Sequence, residues 1–363
     1  MRHAGTLSVY IGREFLLGCL GMLFGLGVII VMTDTIELLR RSAGKQVAQL
    51  DTVLGMALMK SAGTTMSVIP FAVLFGGMIV FMRMSRSQEL IVVRAAGISV
   101  WQFLAPALVI AAILGTVLVG AVNPVVSILI ERYEEMEDRI MGNRSSALSL
   151  SAQGLWIRET GPDGHAVVHG RASPDDLQFA GVTVFMFDSD GDFIQRVDAA
   201  SGRLDRGFWE LADTVLTRND ATQRAQDIYR VATELTRDRI RDSFGSPQAV
   251  SFWNLPEFTR LLEQAGFSSV RHRLHWHVLL ATPLLLCAMV LIAAAVSLRR
   301  TRHGSITARV CAGLLCAFLL FFASDVIFAL GLSSRIPVVL AAWAPATVTT
   351  LLGAWSLLHL EDG

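Results

Sequence analysis

The side chains able to do chemistry are few, and most stand in patterns that do not make a catalytic site. His272, His275 and His277 lie close together, but no carboxylate or thiolate stands at ligand spacing beside them. With Trp276 in their midst they read as interfacial histidines rather than a metal centre. Asp188-Ser189-Asp190-Gly191-Asp192 has the look of a calcium loop, yet it lacks the twelfth-position carboxylate and separates two strand-like runs, so a hairpin turn is expected. Gly44-Lys45 is followed by Gln46 and no G-x-x-x-x-G-K-[ST] occurs, which argues against ATP hydrolysis by a P-loop. G-x-S-x-G, H-E-x-x-H and C-x-x-C are absent too. No catalytic residue, metal site or bound cofactor is expected.

Three features remain. Arg40, Arg41 and Lys45 form a basic group. Guanidinium forks suit phosphate oxygens, while the plainer reading is interfacial anchoring by snorkelling side chains. Asp325 lies inside an apolar run, where an acid costs about 2.5–3.5 kcal/mol at mid-membrane and less near the interface. That cost marks a partnered or functional group, unless the carboxyl simply hydrogen-bonds near one end. The third is Ser85–Gly97, carrying Arg86, Glu89, Leu90, Val93 and Arg94. Ser85 with Gln88 fits a capping box and Gly97 a helix stop, so a short helix is expected over about 85–97. It is either a connector lying on the membrane surface or a peg that a soluble ATPase pushes.

The elements that position these residues follow from composition. Of 363 residues, 53% are hydrophobic and 17% charged, and mean hydropathy is +0.51. A water-soluble core cannot hide that much apolar surface, and disorder, a collagen-like fibre and a disulfide-stapled domain are excluded. Charge-free runs long enough to cross about 30 Å of hydrocarbon fall at 15–33, 61–82, 98–122, 278–298 and 337–358, and a further apolar run from about 308 to 330 is interrupted by Asp325. The first lies between Glu14 and Asp34, the second between Lys60 and Arg83. Asn123-Pro124 is expected to end the third.

With the N-terminus inside, the cytoplasmic segments carry nine arginines and the short outer loops only Arg40, Arg41, Lys45 and Arg335. N- and C-termini are therefore expected in the cytoplasm. The first apolar run is too long for a cleavable signal peptide, and no small-residue cleavage site follows it. Small residues Gly21, Gly25 and Gly27 suit close helix packing, within the chain or against a partner.

Residues 123–274 differ from the rest, with 23 acidic and 17 basic residues and no cysteine. The net charge of zero leaves no nucleic-acid footprint. Runs at 155–158, 166–169, 182–187 and 208–211 read as strands, separated by Gly161-Pro162-Asp163-Gly164 and the Asp188–Asp192 turn. One helix closes the insertion, with Pro256 at its start and Gly266 at its end. Three parts result: 1–122 with helices one to three, 123–274 as an extracytoplasmic β domain, and 275–363 with helices four to six.

The Ser85–Gly97 segment resembles the S-x-E-L-V-x-x-x-A-x-G region of the lipopolysaccharide export permeases, the LptF/LptG (YjgP/YjgQ) family. The resemblance runs the length of the chain. It includes Glu37-Leu38-Leu39-Arg40-Arg41, Pro70, Asn123-Pro124, Gly154-Leu155-Trp156 and Asp325. The Ser251–Pro256 run and the Leu358–Gly363 ending look like the LptG branch rather than LptF.

The resemblance implies a polytopic α-helical membrane protein with six transmembrane helices and a periplasmic β-jellyroll between the third and fourth. It implies a place in the bacterial inner membrane, beside an LptF-like permease, on a dimer of the LptB ATPase that uses ATP and Mg. It further implies extraction of lipopolysaccharide and its transfer to LptC and LptA. On this basis Arg40, Arg41, Lys45 and Asp325 are expected at the substrate, and Arg86, Glu89, Leu90, Val93, Arg94 and Gly97 at the ATPase. The alternatives are an LptF-type paralogue and a mechanotransmitting permease that moves no lipid. One departure stands out: the segment after span three, basic in relatives, is acidic here at Glu131, Glu134, Glu135, Glu137 and Asp138.

Overall fold

The computed structural model describes residues 2–42, 50–89, 95, 97–141, 146–151, 154–161, 164–172, 178–188, 190–205, 207–218, 223–233, 246–298 and 306–361. Helices α1 (Arg2–Ser42) and α2 (Leu50–Arg86) come first, then α3 (Val100–Val117), a π turn (Leu118–Val122) and α4 (Asn123–Met141). Seven strands follow: β1 (Ser146–Ser151), β2 (Gly154–Gly161), β3 (Gly164–Ala172), β4 (Gln178–Phe187), β5 (Phe193–Asp205), β6 (Phe208–Arg218) and β7 (Gln223–Ala232). A 3-10 turn at Pro247–Ala249 leads to α5 (Leu255–Gln264), α6 (Val270–Ser297), α7 (Ile306–Leu332) and α8 (Val338–Glu361). Among the described residues, six segments are long and apolar enough to cross a membrane: Thr6–Ser42, Leu50–Arg86, Val100–Ile140, Val270–Ser297, Val310–Leu332 and Val338–His359. The chain divides into two compact units, one of Met1–Tyr133, Ser251–Trp253 and Leu274–Gly363, the other of Glu134–Val250 and Asn254–Arg273.

The helical unit is built on the antiparallel pair α1 and α2. They approach closely because Gly18 meets Gly76: a Cβ on Gly76 would stand 2.8 Å from the Cα and N of Cys19. Only a missing side chain lets two helix backbones come so near. Phe15 stacks on Phe81 with ring centroids 6.2 Å apart, and Phe81 meets Phe103 of α3 at 6.1 Å. On the far side Gly115 of α3 abuts Pro283 of α6, whose Cα would lie 2.5 Å from a Cβ there.

Asn123-Pro124 does not end the third helix. Helix continues through the π turn and α4 to Met141. Pro124 has no amide to offer the Gly120 carbonyl four residues earlier. That carbonyl accepts instead from Trp253 Nε1 at 3.0 Å, so the proline is tolerated inside a helix.

Among the described residues the β unit is one seven-stranded antiparallel sheet whose strands pair in chain order. Alternating residues of β2 to β7 face a single core, with Leu155, Ile157, Val168, Val184, Val197, Trp209 and Leu211 buried. The sheet curls far enough for Thr233, just past β7, to donate to the Glu159 carboxylate of β2 at 2.7 Å. The expected jellyroll is thus a rolled sheet, its order that of a meander without crossovers. Among the described residues Asp188 makes a hairpin turn: its Oδ1 accepts from the amides of Asp190 (3.0 Å) and Asp192 (2.8 Å). Helix α5 begins with Pro256 in its first turn and ends before Gly266 at φ +85°.

Candidate functional site

The four charged residues that bracket the first two spans in sequence are paired with each other. Lys60 Nζ lies 3.1 Å from Asp34 Oδ1, and Arg83 pairs with Glu14. Glu14 and Asp34 are 20 residues apart on α1, about 30 Å along a helix, which is the thickness of the hydrocarbon layer. Each pair therefore falls at one boundary of the layer. Asp34 is buried and its Oδ2 has no hydrogen-bond partner, so its charge is balanced chiefly by Lys60.

Beyond Asp34, about 10 Å further along the helix, stand Arg40 and Arg41. Glu37 holds both: Arg40 Nη2 donates at 3.0 Å and Arg41 Nε at 2.7 Å. These are i,i+3 and i,i+4 pairs, which fix side-chain direction. Glu37 thus braces both guanidiniums at the head of an apolar column. The column is the outer face of α1, where Leu20, Phe24, Val28 and Met32 are exposed. Gly21 and Gly25 lie on it with no atom within 4 Å of a built Cβ, as is also true of Gly27. Among the described residues, nothing in the subunit packs against these glycines. Lys45 lies outside the described residues.

Helix α7 has a matching bare face of Phe318, Leu319, Phe322 and Val326. Asp325 is exposed on it, with no hydrogen bond or ion pair among the described residues, and nothing links it to Arg40 or Arg41. In α1 and α7 only 11% of the apolar window is buried, against 50% in α2 and 56% in α6. Behind α7, an apolar cavity of about 350 Å³ lies between α2, α6, α7 and α8. Its hydroxyls are already engaged, Ser324 by Leu320 O at 2.7 Å and Thr349 by Pro345 O at 2.6 Å.

The Ser85–Gly97 segment corrects one expectation. Ser85 lies within the last turn of α2 rather than capping a new helix, and Gln88 takes a positive φ of 60°, which stops α2. The capping box is formed later, by Ser99 and Gln102 at the start of α3. Arg86 is exposed at the end of α2, and Glu89 accepts from Ser87 Oγ at 2.8 Å. Gly97 has φ +81°, the left-handed conformation that ends helices. Leu90, Val93 and Arg94 lie outside the described residues.

The model of the family described as "Lipopolysaccharide export system permease LptF/LptG" matches residues 9–359. The chain belongs to the LptF/LptG permease family. It is 23% identical to the lipopolysaccharide export system permease protein LptG of Haemophilus influenzae, covering 98% of this chain and 99% of that one. To LptG of Escherichia coli K12 it is also 23% identical, covering 99% of each. As an LptF/LptG permease it is a multi-pass inner-membrane protein, and the residues that sequence reasoning missed are those joining its helices. Glu37 was legible as a partner from its spacing alone. The Asp34–Lys60 and Glu14–Arg83 pairs were not, because they depend on the register between α1 and α2.

Proposed function

We propose that this chain is the LptG-type membrane subunit of a lipopolysaccharide exporter driven by a separate ATPase. Family membership over residues 9–359 carries the reading, and both curated relatives bear the LptG name, which favours that branch over LptF. The α1 column supports it physically. A bare apolar face headed by Arg40 and Arg41 complements an amphiphile with acyl chains and phosphates, since guanidinium binds phosphate as a fork. Lys45 and Asp325 are assigned to the same substrate path, Asp325 through hydroxyls or a bridging cation rather than phosphate. In this reading the β unit is periplasmic, both termini are cytoplasmic, an LptF-like chain completes the path, and LptC and LptA receive the lipid.

The test is the double reversal Arg40→Glu with Arg41→Glu. Photocrosslinking to lipopolysaccharide and lipid-stimulated ATP hydrolysis should fall at least fivefold while the complex still assembles. Unchanged crosslinking would reduce these residues to interfacial anchors.

The ATPase, an LptB dimer using ATP and Mg, is assigned to the segment holding Arg86, Glu89, Leu90, Val93, Arg94 and Gly97. A carboxylate in a docking groove makes a charge-assisted contact, typically about 1.5–3 kcal/mol. Glu89→Lys should therefore reduce ATPase co-purification roughly tenfold or more with normal membrane insertion. Full co-purification and export in that variant would leave the segment as a surface connector.

A further inference from the structure

The apolar cavity behind α7 is not used by the substrate path proposed above. It holds about 350 Å³ between α2, α6, α7 and α8. An aliphatic-lined cavity of about 150 Å³ already takes up a benzene ring, and ligand sites run from about 300 Å³ upward. The space exists because Ala317, Ala323 and Ala344 stand on its walls where longer side chains would have met. Its floor is closed by Leu74 of α2 and Met289 of α6, each 1% exposed. Its rim carries Leu319 of α7 with Val348 and Leu352 of α8, all more than half exposed. The mouth therefore lies between α7 and α8, on the outer side of the helical unit.

Depth and chemistry decide what fills it. The lining runs from Cys316 to Ile327 on α7 and from Ala344 to Leu352 on α8, five to seven residues inside either end of the spans Val310–Leu332 and Val338–His359. At 1.5 Å per residue that is about 8–10 Å from each end, within the hydrocarbon layer. A lipid headgroup does not reach that depth, whereas an acyl chain does. Water has little to bond there, because the Ser324 and Thr349 hydroxyls donate to the Leu320 and Pro345 carbonyls of their own helices. No charged side chain stands among the described residues that line the cavity. An empty space would forfeit the dispersion contacts of every wall, and α7 has little packing to spare, with 11% of its apolar window buried against 56% in α6.

We propose that this cavity binds one acyl chain of a bilayer phospholipid, inserted between α7 and α8 with its end on Leu74 and Met289. The bound chain supplies the inner side of α7 with the packing that the protein leaves out. A bilayer lipid fits better than an exported one for two reasons. The walls belong to this chain alone, so the mouth faces the surrounding lipid without a second subunit to complete it. Arg40 and Arg41, which suit the phosphates of the exported lipid, stand on α1, and α1 contributes no residue to the walls. The proposal rests on the membrane-spanning helices and not on the export reading, so it stands or falls independently of that reading.

Photolabelling of the complete permease complex, in nanodiscs of phosphatidylethanolamine and phosphatidylglycerol, tests the site. The probe is a phosphatidylethanolamine with a diazirine near the end of one chain. Lipid that merely surrounds the protein reaches residues such as Phe24 of α1, 76% exposed, but not the cavity floor. Adducts on Leu74 or Met289 are therefore the expected result. Ala344→Phe, which fills the cavity from α8, should lower them at least fivefold and leave those on Phe24 unchanged. Ser324→Leu, which fills it from α7, should do the same and serves where the first variant fails to insert. Leu351→Phe, on the 69% exposed face outside the cavity, should change neither. Wild-type adducts confined to exposed residues would overturn the proposal, and so would floor adducts that both filling variants leave intact. The same diazirine on a lipopolysaccharide chain separates the two lipids. Floor labelling by that probe in higher yield than by the phospholipid would also overturn the proposal and give the cavity to the exported lipid.

Discussion

At the scale of single residues, the two ion pairs between α1 and α2 differ in worth. Arg83 and Glu14 have side chains 59% and 22% exposed, so screening by water limits that pair to well under 1 kcal/mol. Lys60 and Asp34 are 28% and 12% exposed, and removing one partner leaves a poorly solvated charge beside hydrocarbon. Asp34→Asn and Lys60→Met should each lower unfolding stability in detergent by about 1–3 kcal/mol. The double variant should be less destabilised than the sum of the two, and a denaturation-based double-mutant cycle measures the difference. Additive losses would show that the pair is not coupled. The sequence marked all four residues as span boundaries because charges end apolar runs. It could not pair them, since 69 residues separate Glu14 from Arg83 and no local spacing rule reaches that far.

At the scale of elements, the α1–α2 crossing separates glycines that look alike in sequence. Gly76 faces the Cys19 backbone at 2.8 Å, so Gly76→Ala must push two helices apart, at a cost of about 1–3 kcal/mol. Gly25 faces open space, and Gly25→Ala should be neutral or gain up to about 1 kcal/mol of helix propensity. Thermal retention of the folded chain in detergent distinguishes them, and equal effects would show that the crossing is looser than drawn. Sequence reasoning singled out Gly21, Gly25 and Gly27 and passed over Gly18 and Gly76, because glycine spacing reveals a small-residue stripe but not what faces it. The β unit shows a similar limit. Strands β2, β3, β4 and β6 were legible from apolar runs, whereas β7, Gln223–Ala232, is mostly exposed and polar and has no such signal. Asn123-Pro124 misled for a different reason: a proline breaks a helix only when nothing else satisfies the vacant carbonyl, and here the donor comes from Trp253.

At the scale of the whole molecule, the question is what argues for a second permease. Bare apolar faces on α1 and α7 do not, because lipid tails solvate leucine and phenylalanine as well as another helix would. Asp325 is a stronger argument. It is exposed on α7 with no partner among the described residues, on a helix where a carboxylate costs about 2.5–3.5 kcal/mol at mid-membrane and less near the interface. A hydrogen-bond donor or cation on a covering helix would remove that cost, and so would a site at the substrate. The two sources separate by experiment. If a second permease supplies the partner, Asp325→Asn should raise or preserve insertion of this chain expressed alone, yet lower its co-purification with an LptF-like chain at least threefold. If the carboxylate serves the substrate, co-purification should be unchanged and lipopolysaccharide crosslinking should fall instead. Loss of neither would mean that Asp325 sits shallow enough to be hydrated, and the pairing argument would then rest on the open Gly21–Gly25 stripe of α1 alone.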